Sequence, residues 1–236
     1  FAIYAAINLC WMLIVGTANA VNFVDGLDGL AAGMVAIGAV AFFAFAFVVA
    51  VENGETRAIA AALLAAALAG ACIGILPHNF FPARMFIGDS GSMLIGFVLA
   101  CSSISLTGQF PATRLNEAIG GAQTNFLPAL LPLILPFTIL LVPFADLGLA
   151  VVRRTRAGRS PFSPDKMHIH HRLLEIGHSH RRAVLLMYAA AGLVAFGSVV
   201  ISLFSGWQSI LGFGLLALLT AAAVFLLPKL DEKVWS

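Results

Sequence analysis

Residues 19–33 separate two long apolar runs and read Asn-Ala-Val-Asn-Phe-Val-Asp-Gly-Leu-Asp-Gly-Leu-Ala-Ala-Gly. A polar residue recurs at every third position of this segment: Asn19, Asn22, Asp25 and Asp28. Such a spacing aligns side chains on one line of a 3₁₀ turn, or along one slowly turning face of an α-helix. We therefore expect the four side chains to converge on one small volume at the edge of a lipid bilayer.

The two carboxylates of this segment need a compensating partner. An unpaired carboxylate at the centre of a bilayer costs about 2.5–3.5 kcal/mol on the insertion scale. A water-filled cleft, a cation or a ligand would remove that cost. The alternative interpretation is a polar loop in which the Asp-Gly pairs only make turns. A plain turn, however, does not require four polar side chains in register.

The composition of the whole chain is that of a membrane protein. Of its 236 residues, 61% are hydrophobic and only 10% are charged, whereas about 25% of the residues of a soluble domain are charged. The formal net charge of +2 gives no reason to expect nucleic acid as a partner. We therefore predict an all-α, polytopic bundle of transmembrane helices that forms a single domain over residues 1–236.

Seven apolar runs approach the length that a helix needs to cross about 30 Å of hydrocarbon. We place them at 1–18, 30–50, 57–76, 90–107, 126–151, 183–204 and 207–227. The fifth run carries four prolines, so we expect it to be bent or broken. Gly29 and Gly33 form a Gly-x-x-x-Gly step, which predicts close helix packing. Because the chain begins inside an apolar run, we also expect further spans upstream of Phe1.

The polar segments between these runs fall on one side of the membrane. Counting spans places residues 19–28, 77–89 and 152–182 on the same side as the C-terminal tail. That side holds every Lys and Arg except Arg57 and Arg114. By the positive-inside rule, the polar segments therefore face the cytoplasm.

A second polar cluster directly precedes the fourth span. Residues 77–92 read Pro-His-Asn-Phe-Phe-Pro-Ala-Arg-Met-Phe-Ile-Gly-Asp-Ser-Gly-Ser. Asp89 or Ser90 stands where the N-cap of the following helix belongs. A helix N-terminus favours anions, and an Asp there can hold a cation that the anion shares. An ordinary N-cap is the alternative. Gly-Asp-Ser-Gly also occurs in chymotrypsin-type proteases, but those are β-barrel enzymes and this segment lies between membrane helices.

The third cluster lies in the loop 152–182, where residues 153–174 combine arginines with histidines. Arginine forks match phosphate oxygens, and histidines can donate to them. The three histidines His168, His170 and His171 also raise the possibility of zinc, but no Cys or carboxylate stands at a usual structural zinc spacing. An anion-binding loop is therefore favoured. A topological anchor would explain the arginines but not the histidines.

Together the three clusters supply carboxylates and amides for Mg²⁺, a helix N-terminus and an Arg/His loop. That set suits phosphoryl transfer with a diphosphate substrate at a membrane surface. The rival from another class is a secondary transporter, which also uses broken helices and buried carboxylates, but near the bilayer midplane. A non-catalytic helical scaffold would leave the ladder of Asn and Asp residues unexplained.

Three segments closely resemble motifs of the polyprenyl-phosphate N-acetylhexosamine-1-phosphate transferases, in order and over essentially the whole chain: residues 19–30, 86–92 and 168–172. The last, His-Ile-His-His-Arg, resembles the bacterial N-acetylglucosamine-1-phosphate branch. The phospho-MurNAc-pentapeptide translocase branch, which is the alternative, has three consecutive histidines followed by an aromatic residue. The resemblance implies Mg²⁺-dependent transfer of N-acetylglucosamine-1-phosphate from UDP-GlcNAc to a polyprenyl phosphate, with release of UMP. It also implies a bacterial cytoplasmic (inner) membrane, a role at the start of cell-envelope polysaccharide synthesis, and leaves room for a homodimer.

The resemblance implies roles for matching residues of the first two motifs. Asp89 would be catalytic and, together with Asn22, a ligand of Mg²⁺, for which Mn²⁺ is a substitute. The uracil would be bound by four residues: Asp25 and Asn79 in direct contact, Phe86 packing near the base, and Asp28 in support.

The resemblance also implies roles for the third motif, and the chain departs from the family in one respect. His168, His170, His171 and Arg172 would line the sugar-diphosphate side of the site. The family has a further Asp-Asp motif on an earlier cytoplasmic loop, whose carboxylates are thought to bind or deprotonate the lipid phosphate. This chain does not contain that motif. We therefore expect either that the numbering starts inside a longer protein or that the chain is a partial gene product.

Overall fold

The computed structural model of the chain describes residues 2–52, 58–107 and 179–203, with two isolated positions, 155 and 214. Five long helices account for most of these residues: α1 (Ala2–Val24), α2 (Leu30–Glu52), α3 (Ala58–Asn79), α4 (Gly88–Thr107) and α5 (His180–Leu203). Each is long and apolar enough to cross a membrane. The prediction of an all-α, multi-pass chain is confirmed for this part of the protein. The spans predicted at 126–151 and 207–227 lie outside the described residues.

The helices coincide with five of the predicted apolar runs, and the main difference lies at the end of α1. The run predicted at 1–18 continues as a helix to Val24. Asn19 and Asn22 are therefore helical residues, and the turn between α1 and α2 carries only Asp25 and Asp28. Helix α4 begins slightly earlier than predicted, so Asp89 lies within its first turn.

The expectation that all four polar residues of the ladder converge is wrong for Asn19. Its side chain is exposed, and its Nδ2 donates to the carbonyl oxygen of Val15, 2.8 Å away in the same helix. The reason is helical geometry. A three-residue step falls short of the 3.6 residues of a full turn, so residues at this spacing drift around the helix. Asn22 faces a neighbouring helix and Asn19 does not.

Helix α2 forms the centre of the described bundle, where it packs against α3 and α5. Phe42 and Phe45 on this helix are fully buried. The predicted close packing at the Gly-x-x-x-Gly step is confirmed, because an added Cβ on Gly33 would lie 2.0 Å from the ring of Tyr188 on α5. The glycine thus provides the space that the tyrosine ring occupies.

Helices α1 and α4 approach each other closely at Gly96. A Cβ on that glycine would lie 2.8 Å from the Cα of Ala18 and 2.9 Å from the carbonyl oxygen of Thr17. Small residues permit this backbone-to-backbone approach between membrane helices. The contact brings the C-terminal end of α1 beside the N-terminal end of α4. The two polar clusters at those helix ends therefore meet.

Candidate active site

Three short segments form the polar end of the bundle: the α1–α2 turn (residues 25–29), the α3–α4 segment (residues 80–87) and the start of α5. Helices α1 and α3 run in one direction and α2, α4 and α5 in the other, so the C-terminal ends of the first two lie beside the N-terminal ends of the other three. Direct hydrogen bonds connect these ends. Residues that are far apart in the sequence are thereby brought into one site.

The first contact joins Asn22 at the end of α1 to Asp89 in the first turn of α4. Asn22 Nδ2 donates to Asp89 Oδ1 at 3.2 Å and to Ser92 Oγ at 2.9 Å. Ser92 Oγ in turn donates to the carbonyl oxygen of Asp89 at 3.1 Å. Asp89 is exposed and Asn22 is half-buried, whereas Ser92 is fully buried. The Asp89 carboxylate is thus hydrogen-bonded by Asn22 and remains accessible to solvent at the polar end of the bundle.

The second contact fixes the α1–α2 turn against the α3–α4 segment through Asn79, whose side chain is only 2% exposed. Its Oδ1 accepts from the backbone N–H of Gly29 at 3.1 Å, and its Nδ2 donates to the carbonyl oxygen of Met85 at 2.9 Å. Asp28 adds a parallel link, because its Oδ2 accepts from the backbone N–H of Ala83 at 3.0 Å. The turn and the segment therefore form one hydrogen-bonded unit.

Helix α5 supplies the third set of contacts. The hydroxyl of Tyr188 donates to the carbonyl oxygen of Gly29. Closer to the start of the helix, Arg181 Nε donates to the carbonyl oxygen of Phe81 at 3.1 Å. The rings of Phe81 and His180 stack with their centroids 4.4 Å apart. Because α5 follows the Arg/His loop in the chain, these contacts tie the end of that loop to the other two clusters.

Asp25 is partly buried and lies close to two other carboxylates, Asp89 and Asp28. Partial burial of the side chain, and then the negative charges of Asp89 and Asp28, raise the pKa of Asp25 from 3.8 to about 6. Burial disfavours the negative charge of Asp25 most, and the field of the two neighbouring carboxylates adds to this effect. A cation placed between these residues would relieve that field.

The side-chain oxygen atoms at this end of the bundle are of the kind that binds Mg²⁺. Within the described stretches, no three His, Cys, Asp or Glu side chains are grouped as a ready-made metal cage. Mg²⁺, however, is usually bound by one or two carboxylates, with waters and substrate phosphates completing its shell. Asp89 and the amide oxygen of Asn22 offer oxygen ligands of this kind, beside a turn that carries two more carboxylates.

The structure brings most of the predicted residues of the first two motifs to one end of the bundle. Phe86 lies on the α3–α4 segment and is 75% exposed. Asn79, in contrast, is almost completely buried. The four predicted residues of the third motif lie outside the described part of the chain: His168, His170, His171 and Arg172.

Two residues of the site were not predicted from the sequence. Ser92 stands at the end of the second motif, and its place three residues after Asp89 near the start of α4 is a signal for a hydrogen bond to the backbone of Asp89. Tyr188 gives no comparable signal, because it lies in an ordinary apolar run. The Gly-x-x-x-Gly step predicted a close contact without identifying the aromatic ring that makes it.

Residues 1–107 match the model of a family described as glycosyl transferase family 4. The decaprenyl-phosphate N-acetylglucosaminephosphotransferase of Mycolicibacterium smegmatis is 47% identical over 227 residues, which are 96% of this chain and 54% of that protein. The probable undecaprenyl-phosphate N-acetylglucosaminyl 1-phosphate transferase of Bacillus subtilis is 33% identical over 88% of this chain and 51% of that protein. The phospho-N-acetylmuramoyl-pentapeptide-transferase of Chlamydia trachomatis is 44% identical, but over only 42% of this chain and 28% of that protein.

The five apolar helices and these similarities define a polytopic membrane protein that is similar to polyprenyl-phosphate phosphotransferases. More specifically, the chain belongs to the polyprenyl-phosphate N-acetylhexosamine-1-phosphate transferase family, which confirms the resemblance found in its motifs. The similarity to the N-acetylglucosamine relatives extends over more of the chain than the similarity to the pentapeptide transferase. The chain spans about half the length of the curated relatives that it matches.

Proposed function

We propose that this chain carries the nucleotide-sugar side of an enzyme that transfers N-acetylglucosamine-1-phosphate from UDP-GlcNAc to a polyprenyl phosphate. The observation that carries the proposal is the contact between Asn22 and Asp89, which joins two of the three motifs at one end of the bundle. The names of the Mycolicibacterium and Bacillus relatives supply the substrate class. The product is polyprenyl-diphosphate-N-acetylglucosamine, with which synthesis of a cell-envelope polysaccharide begins.

In the proposed reaction, an oxygen of the polyprenyl phosphate attacks the β-phosphorus of UDP-GlcNAc. A new phosphorus–oxygen bond forms, the bond from the β-phosphorus to the bridging oxygen breaks, and UMP leaves with that oxygen. Phosphoryl transfer depends mainly on positioning the reactants and on stabilising the negative charge of the transferring group. Asp89 and Asn22 would hold Mg²⁺, which neutralises part of that charge when it is bound.

The nucleotide would bind beside the metal ligands. Asp25 and Asn79 would contact the uracil, with Asp28 in support. The amide of Asn79 makes one donor and one acceptor bond to the backbone, so one N–H and one oxygen lone pair are left for a base. The exposed ring of Phe86 is available for stacking on the base, since every base has a π-face.

The sugar-diphosphate would be bound by the third motif, whose members are His168, His170, His171 and Arg172. The contacts of α5 with Phe81 support this placement, because α5 follows directly after the loop that contains these residues. We also propose that the site faces the cytoplasm at a bacterial inner membrane, because nearly all Lys and Arg residues fall on its side.

The test is UMP release by the natural full-length protein, supplied with polyprenyl phosphate and Mg²⁺. Three donors are compared: UDP-GlcNAc, UDP-GalNAc and UDP-MurNAc-pentapeptide. UMP release that requires UDP-GlcNAc and polyprenyl phosphate together is the expected result. Preference for the pentapeptide donor would place the protein in the other branch of the family. Uptake of a substrate into vesicles without any UMP release would instead favour a transporter.

A further inference from the structure

Ser92 has an environment that its place in the second motif does not by itself explain. The residue is the fifth of α4, one turn after the start of the helix, and is fully buried. Its single hydroxyl donates to the carbonyl oxygen of Asp89 and accepts from Nδ2 of Asn22. A serine hydroxyl has one proton and two lone pairs. Because the proton is used on Asp89, only lone pairs face Asn22.

This arrangement determines which end of the Asn22 amide faces α4. The second neighbour of Nδ2 is the carboxylate oxygen of Asp89, which accepts hydrogen bonds and cannot donate when ionised. Both neighbours are therefore acceptors. With the amide reversed, its oxygen would lie against the oxygens of Asp89 and Ser92 with no proton between them. The amide nitrogen must point to α4, which leaves Oδ1 of Asn22 without a hydrogen bond to any described residue.

We propose that Ser92 is a positioning residue for the divalent cation. Its hydroxyl fixes the orientation of the Asn22 amide and restrains Asp89, so that oxygen atoms of both residues are presented to the ion. Ser92 acts through these two residues and does not bind the cation itself. The inference rests on the metal site of the proposed function. Loss of such a supporting hydrogen bond typically lowers metal affinity about 10–100-fold.

The experiment measures Mn²⁺ binding to the full-length protein in detergent, using the electron paramagnetic resonance signal of free Mn²⁺. Ser92→Ala should raise the dissociation constant for Mn²⁺ about 10-fold or more. Ser102→Ala is the matched control. Ser102 lies on the same helix and is equally buried, but its hydroxyl donates only to the carbonyl oxygen of Val98. This control should bind Mn²⁺ as the wild type does.

A double-mutant cycle tests whether Ser92 acts through Asn22. Asn22→Ala should weaken Mn²⁺ binding, and adding Ser92→Ala to it should then change the dissociation constant much less than in the wild-type background. Two mutations that act through one contact are not additive. Equal effects in both backgrounds would overturn the proposal, as would Mn²⁺ binding that Ser92→Ala leaves unchanged.

The same proteins separate this inference from the proposed function. A wild-type protein that binds Mn²⁺ in the manner described, but releases no UMP with any donor, would refute the transferase reaction and support the role of Ser92. A wild-type protein that releases UMP, but whose Ser92→Ala variant has an unchanged dissociation constant for Mn²⁺, would refute only the role of Ser92. A wild-type protein that binds no Mn²⁺ would overturn the inference as well.

Discussion

The hydroxyl of Tyr188 donates a hydrogen bond to the carbonyl oxygen of Gly29, a residue 159 positions earlier in the chain. The same glycine donates its N–H to Asn79. Gly29 has a φ of 80°, a backbone conformation that glycine adopts without steric cost. The turn that carries Asp25 and Asp28 is therefore held from two helices, α3 and α5.

Removing the Tyr188 hydroxyl should lower UMP release by the full-length protein while preserving its fold. In Tyr188→Phe the ring still fills the space beside Gly33, and only the hydrogen bond to Gly29 is lost. A net loss of about 0.5–1.5 kcal/mol per hydrogen bond corresponds to a fall in turnover of roughly 2–10-fold. The measurement is UMP release, with the thermal unfolding midpoint determined in parallel.

Tyr4→Phe is the matched control for this change. Tyr4 is the other tyrosine of the chain, and its side chain is 74% exposed on α1. The same substitution there should leave turnover unchanged. If both variants turned over at the wild-type rate, the hydrogen bond to Gly29 would have no part in positioning the turn.

A methyl group at position 33 should destabilise the contact between α2 and α5. In Gly33→Ala the added Cβ would lie 2.0 Å from the Tyr188 ring, so the ring or one of the two helices must shift. Overpacking of this kind typically costs about 1–3 kcal/mol. We expect a lower thermal unfolding midpoint in detergent. Gly70→Ala on α3 is the control, because an added Cβ there has no atom within 4 Å. Equal midpoints for the two variants would contradict the packing described.

Asp89 should be essential for metal-dependent turnover. Asp89→Asn removes the negative charge but keeps the shape of the side chain. Changes to residues that only support a metal ligand cost about 10–100-fold, so the loss of a direct ligand should cost about 100-fold or more. The measurement is UMP release as a function of Mg²⁺ concentration. Asn19→Ala should be active, since Asn19 bonds only within its own helix. Near-normal turnover of Asp89→Asn at low Mg²⁺ would exclude Asp89 as the ligand.

Arg172→Lys should slow the reaction although the positive charge is kept. An arginine fork can bind two phosphate oxygens at once, whereas a lysine ammonium group is a point charge. We expect a lower kcat/KM for UDP-GlcNAc in the variant. Identical kinetics for the variant and the wild type would mean that the Arg/His loop serves only as a topological anchor.

The five described helices could be predicted from the sequence because membrane spans depend on local composition. A run of apolar residues of sufficient length forms a helix whatever its neighbours are. The end of α1 was placed too early, since the prediction stopped before Asn19, where the segment of recurring Asn and Asp residues begins. The side chain of Asn19 is accommodated because it donates a hydrogen bond to the carbonyl oxygen of Val15 in the same helix. Such local bonding by an asparagine cannot be read from a hydrophobic pattern.

Only the site residues that match positions of the family were predicted from the sequence. Asn22 and Asp89 were assigned to one metal site on their resemblance to family motifs, and the structure places them in contact. The fixed orientation of the Asn22 amide depends on the burial of Ser92, which is a property of the packed bundle. The contact between Tyr188 and Gly29 depends on how α5 packs against α2. Tyr188 does not stand out by type or spacing in the sequence, and Ser92 does so only through its place near the start of α4.

The backbone N–H of Gly29 donates to the side chain of Asn79. Hydrogen exchange of this one amide proton therefore shows whether the α1–α2 turn and the α3–α4 segment are held together. A backbone proton held by a buried side chain exchanges with deuterated water only when the structure opens locally. Slow exchange at Gly29 should therefore measure, in the absence of any substrate, the free energy that keeps the turn and the α3–α4 segment together. In Asn79→Ala this protection should disappear, while amides in the middle of α2 stay protected. Unchanged exchange at Gly29 in that variant would mean that another contact holds the turn.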